Sequence, residues 1–199
     1  DDIYVTGNIG DSFLGLKIIK TNLKVSAKLK KYFINQFYCP NLPIKIYKQL
    51  HNFANTSMDV SDGLFSDMNK LINKQKLSFE INVNKIPVSK NFEFYMIKYN
   101  KKKIKYLFNG DDYQILFTAS KKKRSLIRSI EKKMNNKITK IGKINNGATP
   151  PPSACNSSIR SANTSHVVTI SSCPDMKINT SPAGCCRWIR IACRTASST

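Results

Sequence analysis

The chain has 199 residues, 41% of them hydrophobic and 23% charged, with 33 Lys and Arg against 12 Asp and Glu for a formal charge of +21. That length holds one good core, or one domain with an appendage, and the balance of residue types excludes wholesale disorder. No apolar run approaches the ~20 residues needed to cross a bilayer, and Asp1-Asp2-Ile3-Tyr4-Val5 lacks the basic and apolar regions of a secretory signal.

A cytoplasmic location with no membrane partner is therefore expected. A first residue other than Met, leading straight into a strand-like run, suggests a true start further upstream. Ile3 to Thr6 reads as a strand entering a Gly-bearing turn, with Asp11 or Ser12 placed to cap a helix through Lys20. A second helix is predicted over about Val25 to Phe37, ended by Pro40 and Pro43. Ile44 to Phe53 is predicted helical, and Asn55 to Val60 leads into Ser61-Asp62-Gly63. Leu64, Met68, Leu71 and Ile72 then recur at helical spacing. Phe79, Ile81 and Val83 alternate with polar residues as in a half-buried strand closed by Pro87.

Phe92 to Phe108 is mostly helical by pattern. Tyr113, Ile115 and Phe117 alternate as a strand, and Leu126, Ile127, Ile130 and Met134 form one face of a basic helix. Ile138 to Ile144 is a last strand of the unit. Helices and strands alternate across residues 1–147 without internal repeats, which implies one compact α/β or α+β unit.

Composition changes near Gly147, from Lys, Ile, Asn and Phe to Ser, Thr, Ala, Pro and Arg, with five of the six cysteines beyond it. Residues 148–199 are expected to be an unrelated tail of low order, from a frameshift or an assembly join. No Cys-x-x-Cys pair occurs there, Cys185 and Cys186 are adjacent, and an odd number of thiols speaks against a clean disulfide set. A metal-binding appendage using His166 is the weaker reading. Val167 to Ile170 has the composition of a strand.

The positive charge alone suggests nucleic acid or phosphorylated ligands. Lys101-Lys102-Lys103 and Lys121-Lys122-Lys123-Arg124, however, lack interleaved aromatics and read as solvated surface, so no nucleic-acid partner is expected. His51 is expected to be structural or exposed and Cys39 a lone thiol.

Asp59-Val60-Ser61-Asp62-Gly63-Leu64 carries the most chemistry. Two carboxylates three apart, a hydroxyl between them and a glycine before a helix bring hard oxygen ligands to converging backbone N–H groups, as a magnesium-bound polyphosphate requires. By spacing alone, Ser-Asp before an apolar helix is more often a plain N-cap.

Ser57 to Leu64 resembles the Asp-x-Ser-Asp-Gly-Leu signature of thiamine-monophosphate kinases. Three more segments match in the family's order. They are Tyr4-Val5-Thr6-Gly7-Asn8-Ile9-Gly10-Asp11-Ser12 with Gly15-Leu16, then Asn109-Gly110-Asp111-Asp112-Tyr113-Gln114-Ile115-Leu116-Phe117-Thr118, then Ile141-Gly142-Lys143-Ile144.

The resemblance implies an α+β fold (an α/β sandwich), a mixed β-sheet with packed helices, like the C-terminal domain of aminoimidazole-ribonucleotide synthetase. It implies ATP-dependent phosphorylation of thiamine monophosphate to thiamine diphosphate with Mg2+, and homodimers of the full-length family members. Residue by residue, it implies Asp59 and Asp62 as metal ligands, Ser61 as an ATP contact, and Asp111, Asp112 and Tyr113 at the substrate. Asp111 stands where the family has Glu, and Asn109 replaces the first of two glycines. Asn-Gly-Asp is also ordinary turn chemistry, Tyr113 also suits a core, and Gly10-Asp11-Ser12 reads equally as a phosphate-side loop or a helix start.

The family's N-terminal domain has no counterpart in this sequence, which implies a fragment inactive alone. The competing readings are a basic nucleic-acid-binding or scaffold module that lost the chemistry, and another aminoimidazole-ribonucleotide synthetase-like enzyme.

Overall fold

The computed structural model describes residues 1–72 and 77–146, and the backbone of 167–171. Among these residues six strands form one sheet: β1 (Asp2–Thr6), β2 (Thr56–Asp59), β3 (Leu77–Asn82), β4 (Ile115–Ala119), β5 (Ile138–Asn146) and β6 (Val167–Ser171), in the order β2-β4-β1-β5-β3-β6. Every pairing is antiparallel. The α+β class holds, but the expected mixed sheet is corrected to an antiparallel one. The physical reason is interleaving: β1, β2 and β3 run one way, β4, β5 and β6 run the other, and each strand of one set lies beside the other set.

Among the described residues, seven α-helices accompany the sheet: α1 (Asp11–Thr21), α2 (Ala27–Tyr38), α3 (Ile44–Tyr47), α4 (Leu64–Ile72), α5 (Lys90–Lys98), α6 (Ile104–Leu107) and α7 (Arg124–Met134). Ile3, Val5, Leu116, Phe79, Ile81 and Ile141 on one face of the sheet pack with Leu64, Phe65, Met68 and Ile72 of α4. Tyr4, Ile115, Phe117 and Ile138 on the other face pack with Ile46, Ile127 and Ile130 of α3 and α7. A third core joins α1, α2, α5 and α6 through Leu14, Phe33, Phe92, Tyr95 and Tyr106. β1 and β4 are covered on both faces, so all their residues are buried. Asp2 is among them, and Arg124 and Lys140 pair with its carboxylate at 2.5 and 2.8 Å.

Three predicted elements are corrected. The helix expected over Ile44 to Phe53 is one turn of α-helix followed by a 3-10 turn at Leu50–Asn52. The helix over Phe92 to Phe108 is broken between α5 and α6, where Asn100 takes φ +47°. A strand closed by Pro87 is closed earlier, by a 3-10 turn at Val83–Lys85.

β6 pairs with β3 from Ser78 opposite Ser171 to Asn82 opposite Val167, so the sheet extends past the boundary at 147. The rest of the expected tail, with its cysteines and His166, lies outside the described residues. Among those described, His51 and Cys39 are exposed, and no helix is long and apolar enough to cross a membrane.

Candidate functional site

Two loops meet at the end of the β2–β4 pair. β2 ends at Asp59, Val60 follows, and the Ser61-Asp62-Gly63 turn leads into α4. The second loop, Asn109 to Gln114, joins α6 to β4. Val60 N–H donates to Gln114 O (2.8 Å), Tyr113 N–H to Val60 O (2.9 Å) and Asp111 N–H to Ser61 O (2.9 Å), so the ladder continues beyond the strands and fastens one loop to the other.

Glycine is required at two points of this junction. A Cβ on Gly110 would lie 1.7 Å from Ser61 O, and Gly63 takes φ +117° with Phe108 O 2.4 Å from where a Cβ would be. Asp111 (φ +66°) and Tyr113 (φ +49°) are non-glycine residues in the left-handed region. Such a conformation costs about 1–3 kcal/mol per residue and persists where surrounding bonds over-determine it, as the three backbone bonds do here.

The structure sorts the predicted residues. Asp59 and Asp62 are exposed, Ser61 and Asp111 are half-buried, and Tyr113 is 43% exposed, which corrects the alternative of a core aromatic. Asp59 and Asp111 side chains have no hydrogen-bond or ion-pair partner among the described residues. Lys70 Nζ pairs with Asp62 Oδ2, and this contact, with the one to Asp67, holds the Lys70 ammonium above its ordinary pKa.

Asp112 is corrected. Its carboxylate is 3% exposed and accepts Gly10 N–H (2.7 Å) and Ser12 N–H (3.3 Å), so it fastens the second loop to the start of α1 and is not presented to a ligand. Burial pushes its carboxyl up to about 7 despite those two donors. The expected cap of α1 by Asp11 or Ser12 is corrected with it, since the cap comes from a residue 100 positions away. Asp11 turns inward, accepting Ser89 Oγ–H (2.8 Å) and Tyr32 O–H (3.0 Å), and burial raises it to about 6. Ser12 Oγ–H donates to Gln36 O (3.0 Å).

The N–H groups before α4 are also spoken for. Those of Ser61, Asp62 and Gly63 donate to Asp67 Oδ2 at 3.0, 3.0 and 3.1 Å, which corrects the expectation that they are free for phosphate. Asp67 is a residue that sequence reasoning missed. Its signal was an acid in the first turn of a helix, where the N–H groups attract negative charge. Gln114, also missed, accepts Thr6 Oγ1–H (3.0 Å) and donates to Asn41 O (2.8 Å), tying β1 and the α2–α3 connection to the second loop.

Exposed carboxylates at Asp59 and Asp62 with the hydroxyl of Ser61 form an oxygen-only donor set, which suits a hard divalent cation. No group of three or more His, Cys, Asp or Glu among the described residues is arranged to hold a metal ion.

No family model matches the chain. The thiamine-monophosphate kinase of Buchnera aphidicola subsp. Schizaphis graminum (strain Sg) is 38% identical over 150 residues, covering 72% of this chain and 45% of the relative. That of Aquifex aeolicus (strain VF5) is 36% identical over 124 residues, covering 62% of this chain and 40% of the relative. Among solved structures, AaThiL complexed with AMPPCP and TMP superposes with a TM-score of 0.63 at 32% identity, covering 74% of this chain and 45% of that one. The chain thus spans less than half the length of these relatives. By sequence and by fold, it is a homologue of the thiamine-monophosphate kinases, matched to a part of their length.

Proposed function

We propose that residues 1–147 are the C-terminal part of a thiamine-monophosphate kinase, one side of a site that transfers a phosphoryl group from ATP to thiamine monophosphate. The contact that carries this reading is Asp111 N–H on Ser61 O, with Gly110 packed on the same carbonyl. It brings the loop resembling the family's metal and ATP segment against the loop resembling its substrate segment. Asp59 and Asp62 would hold Mg2+, with Ser61 toward ATP and Asp111 and Tyr113 toward the substrate. A bound Mg2+ would neutralise phosphate charge; the protein's own share of such chemistry is holding two anions in line. Lys70 shares Asp62 and must yield it for that carboxylate to serve a cation. Beyond 147, β6 (Val167–Ser171) adds an edge to the sheet of this unit. On the same resemblance, the longer protein is cytoplasmic and homodimeric.

Titrating the full 199-residue chain with AMPPCP, with and without MgCl2, tests the reading. Nucleotide binding that needs magnesium, and that weakens about tenfold in Asp62→Ala, is expected. Binding indifferent to magnesium, or salt-sensitive binding to DNA instead, overturns it. A part of the site cannot align both anions, so the chain alone is expected to turn over no thiamine monophosphate.

A further inference from the structure

Asp67 is fully buried, one turn into α4, yet it is absent from every segment that points to ligand binding. Its Oδ2 accepts three successive N–H groups, from Ser61, Asp62 and Gly63, at 3.0 to 3.1 Å. Its Oδ1 accepts Lys70 Nζ at 2.8 Å. Three N–H groups converging on one point form the kind of nest that binds phosphate or carboxylate. Here the protein's own carboxylate fills it.

We infer that Asp67 is a positioning residue, an internal anion that sets the Ser61-Asp62-Gly63 turn before any ligand arrives. The functional meaning of that turn rests on the kinase reading above; the positioning itself does not. A phosphate oxygen reaching these amides would have to evict a buried, charge-assisted acceptor. Ser61 and Asp62 therefore meet a ligand through their side chains, and the amides serve only to aim them. Gly63 gives the turn many conformations in the unfolded chain, and the single oxygen shared by three donors selects one.

The chemistry demands a carboxylate. In Asp67→Asn, the carboxamide oxygen can face the three amides only if its NH2 faces the Lys70 ammonium, donor against donor. The flipped amide sets NH2 against three N–H groups instead. Either orientation leaves a donor unmatched at a residue that is fully buried.

Amide hydrogen exchange read by NMR on the full chain tests this. In the wild type, the amides of Ser61, Asp62 and Gly63 are expected to exchange more slowly than those of an ordinary surface turn. Fast exchange there overturns the inference without any variant. In Asp67→Asn, those three are expected to exchange about tenfold faster or more, the equivalent of one charge-assisted hydrogen bond, while amides of β1 and β4 keep their rates. Lys70→Met, which leaves the three bonds intact, is expected to keep all three protected. Mn2+ binding is the second readout, expected to weaken in Asp67→Asn. Unchanged exchange and unchanged Mn2+ affinity in Asp67→Asn overturn the inference. A wild-type chain that binds no Mn2+ counts against the kinase reading, and the exchange comparison still decides the role of Asp67.

Discussion

The two loops of the site are built on the same plan and balanced differently. Each is held by a buried aspartate spent on backbone N–H groups, Asp67 of α4 for the first and Asp112 within the second, and each carries an aspartate turned further outward, Asp62 in the first and Asp111 in the second. Asp67 has three amides and the Lys70 ammonium. Asp112 has two amides, no cation, and Asp11 close enough to push its carboxyl further up. The first loop has its charge compensated within the turn. The second holds a carboxyl that burial keeps near its protonation point, so it responds to mild changes of pH.

The largest expected effect breaks the contact between them. In Gly110→Ala, a methyl 1.7 Å from Ser61 O cannot be accommodated without parting the loops. The cost should be about 3 kcal/mol, at the upper end of overpacking substitutions. Urea denaturation measures it, and a loss under about 1 kcal/mol would show that the loops are not pressed together.

A smaller effect separates the two buried aspartates. Asp112 rises to about 7 and Asp11 to about 6 from an ordinary 3.8. Between about pH 4 and 7, the folded chain thus holds protons that the unfolded chain has released, and these two groups make stability fall as pH rises through that window. Asp2 runs the other way. Burial alone would push it up, but Arg124 and Lys140 hold it down at about 2, so its pairing stabilises above about pH 4 and is lost as pH falls toward 2. Asp112→Asn should flatten the decline between pH 5 and 7.5, by at most about 1.4 kcal/mol per pH unit, the slope of one proton. An identical decline in variant and wild type would mean that Asp112 is ionised throughout.

The smallest effect is that of Lys70→Met. Lys70 is 42% exposed and the three amides stay on Asp67 without it, so the loss of so open an ammonium should be within about 1 kcal/mol. A thermal melt with a larger loss would show that the ammonium, rather than the three amides, compensates Asp67.

Much of this was legible in the residues. Phe79 and Ile81 announced β3 by alternation, Leu64, Met68 and Ile72 announced α4 by helical spacing, and the four motif segments picked out both loops. β2 was not legible, because an edge strand reading Thr-Ser-Met-Asp, exposed on most of its length, carries no apolar alternation. The break between α5 and α6 was hidden by apolar residues on both sides of it. Asp112 was recognised as part of a motif and misjudged in role. Its partners, Gly10 and Ser12, lie about 100 positions earlier, and no local pattern encodes that distance. Asp67 was within reach, since its four-residue step back to Gly63 is local.

The place of β1 in the sheet has a consequence for synthesis. It leaves the ribosome well before its two neighbours, β4 and β5, which begin at Ile115 and Ile138. Until more than 110 further residues have been made, both edges of this apolar strand stay unpaired, open to aggregation and to chaperones. Closing so long a loop is slow. A ribosome that stops short of Ile115 releases a chain with no partner for its own central strand.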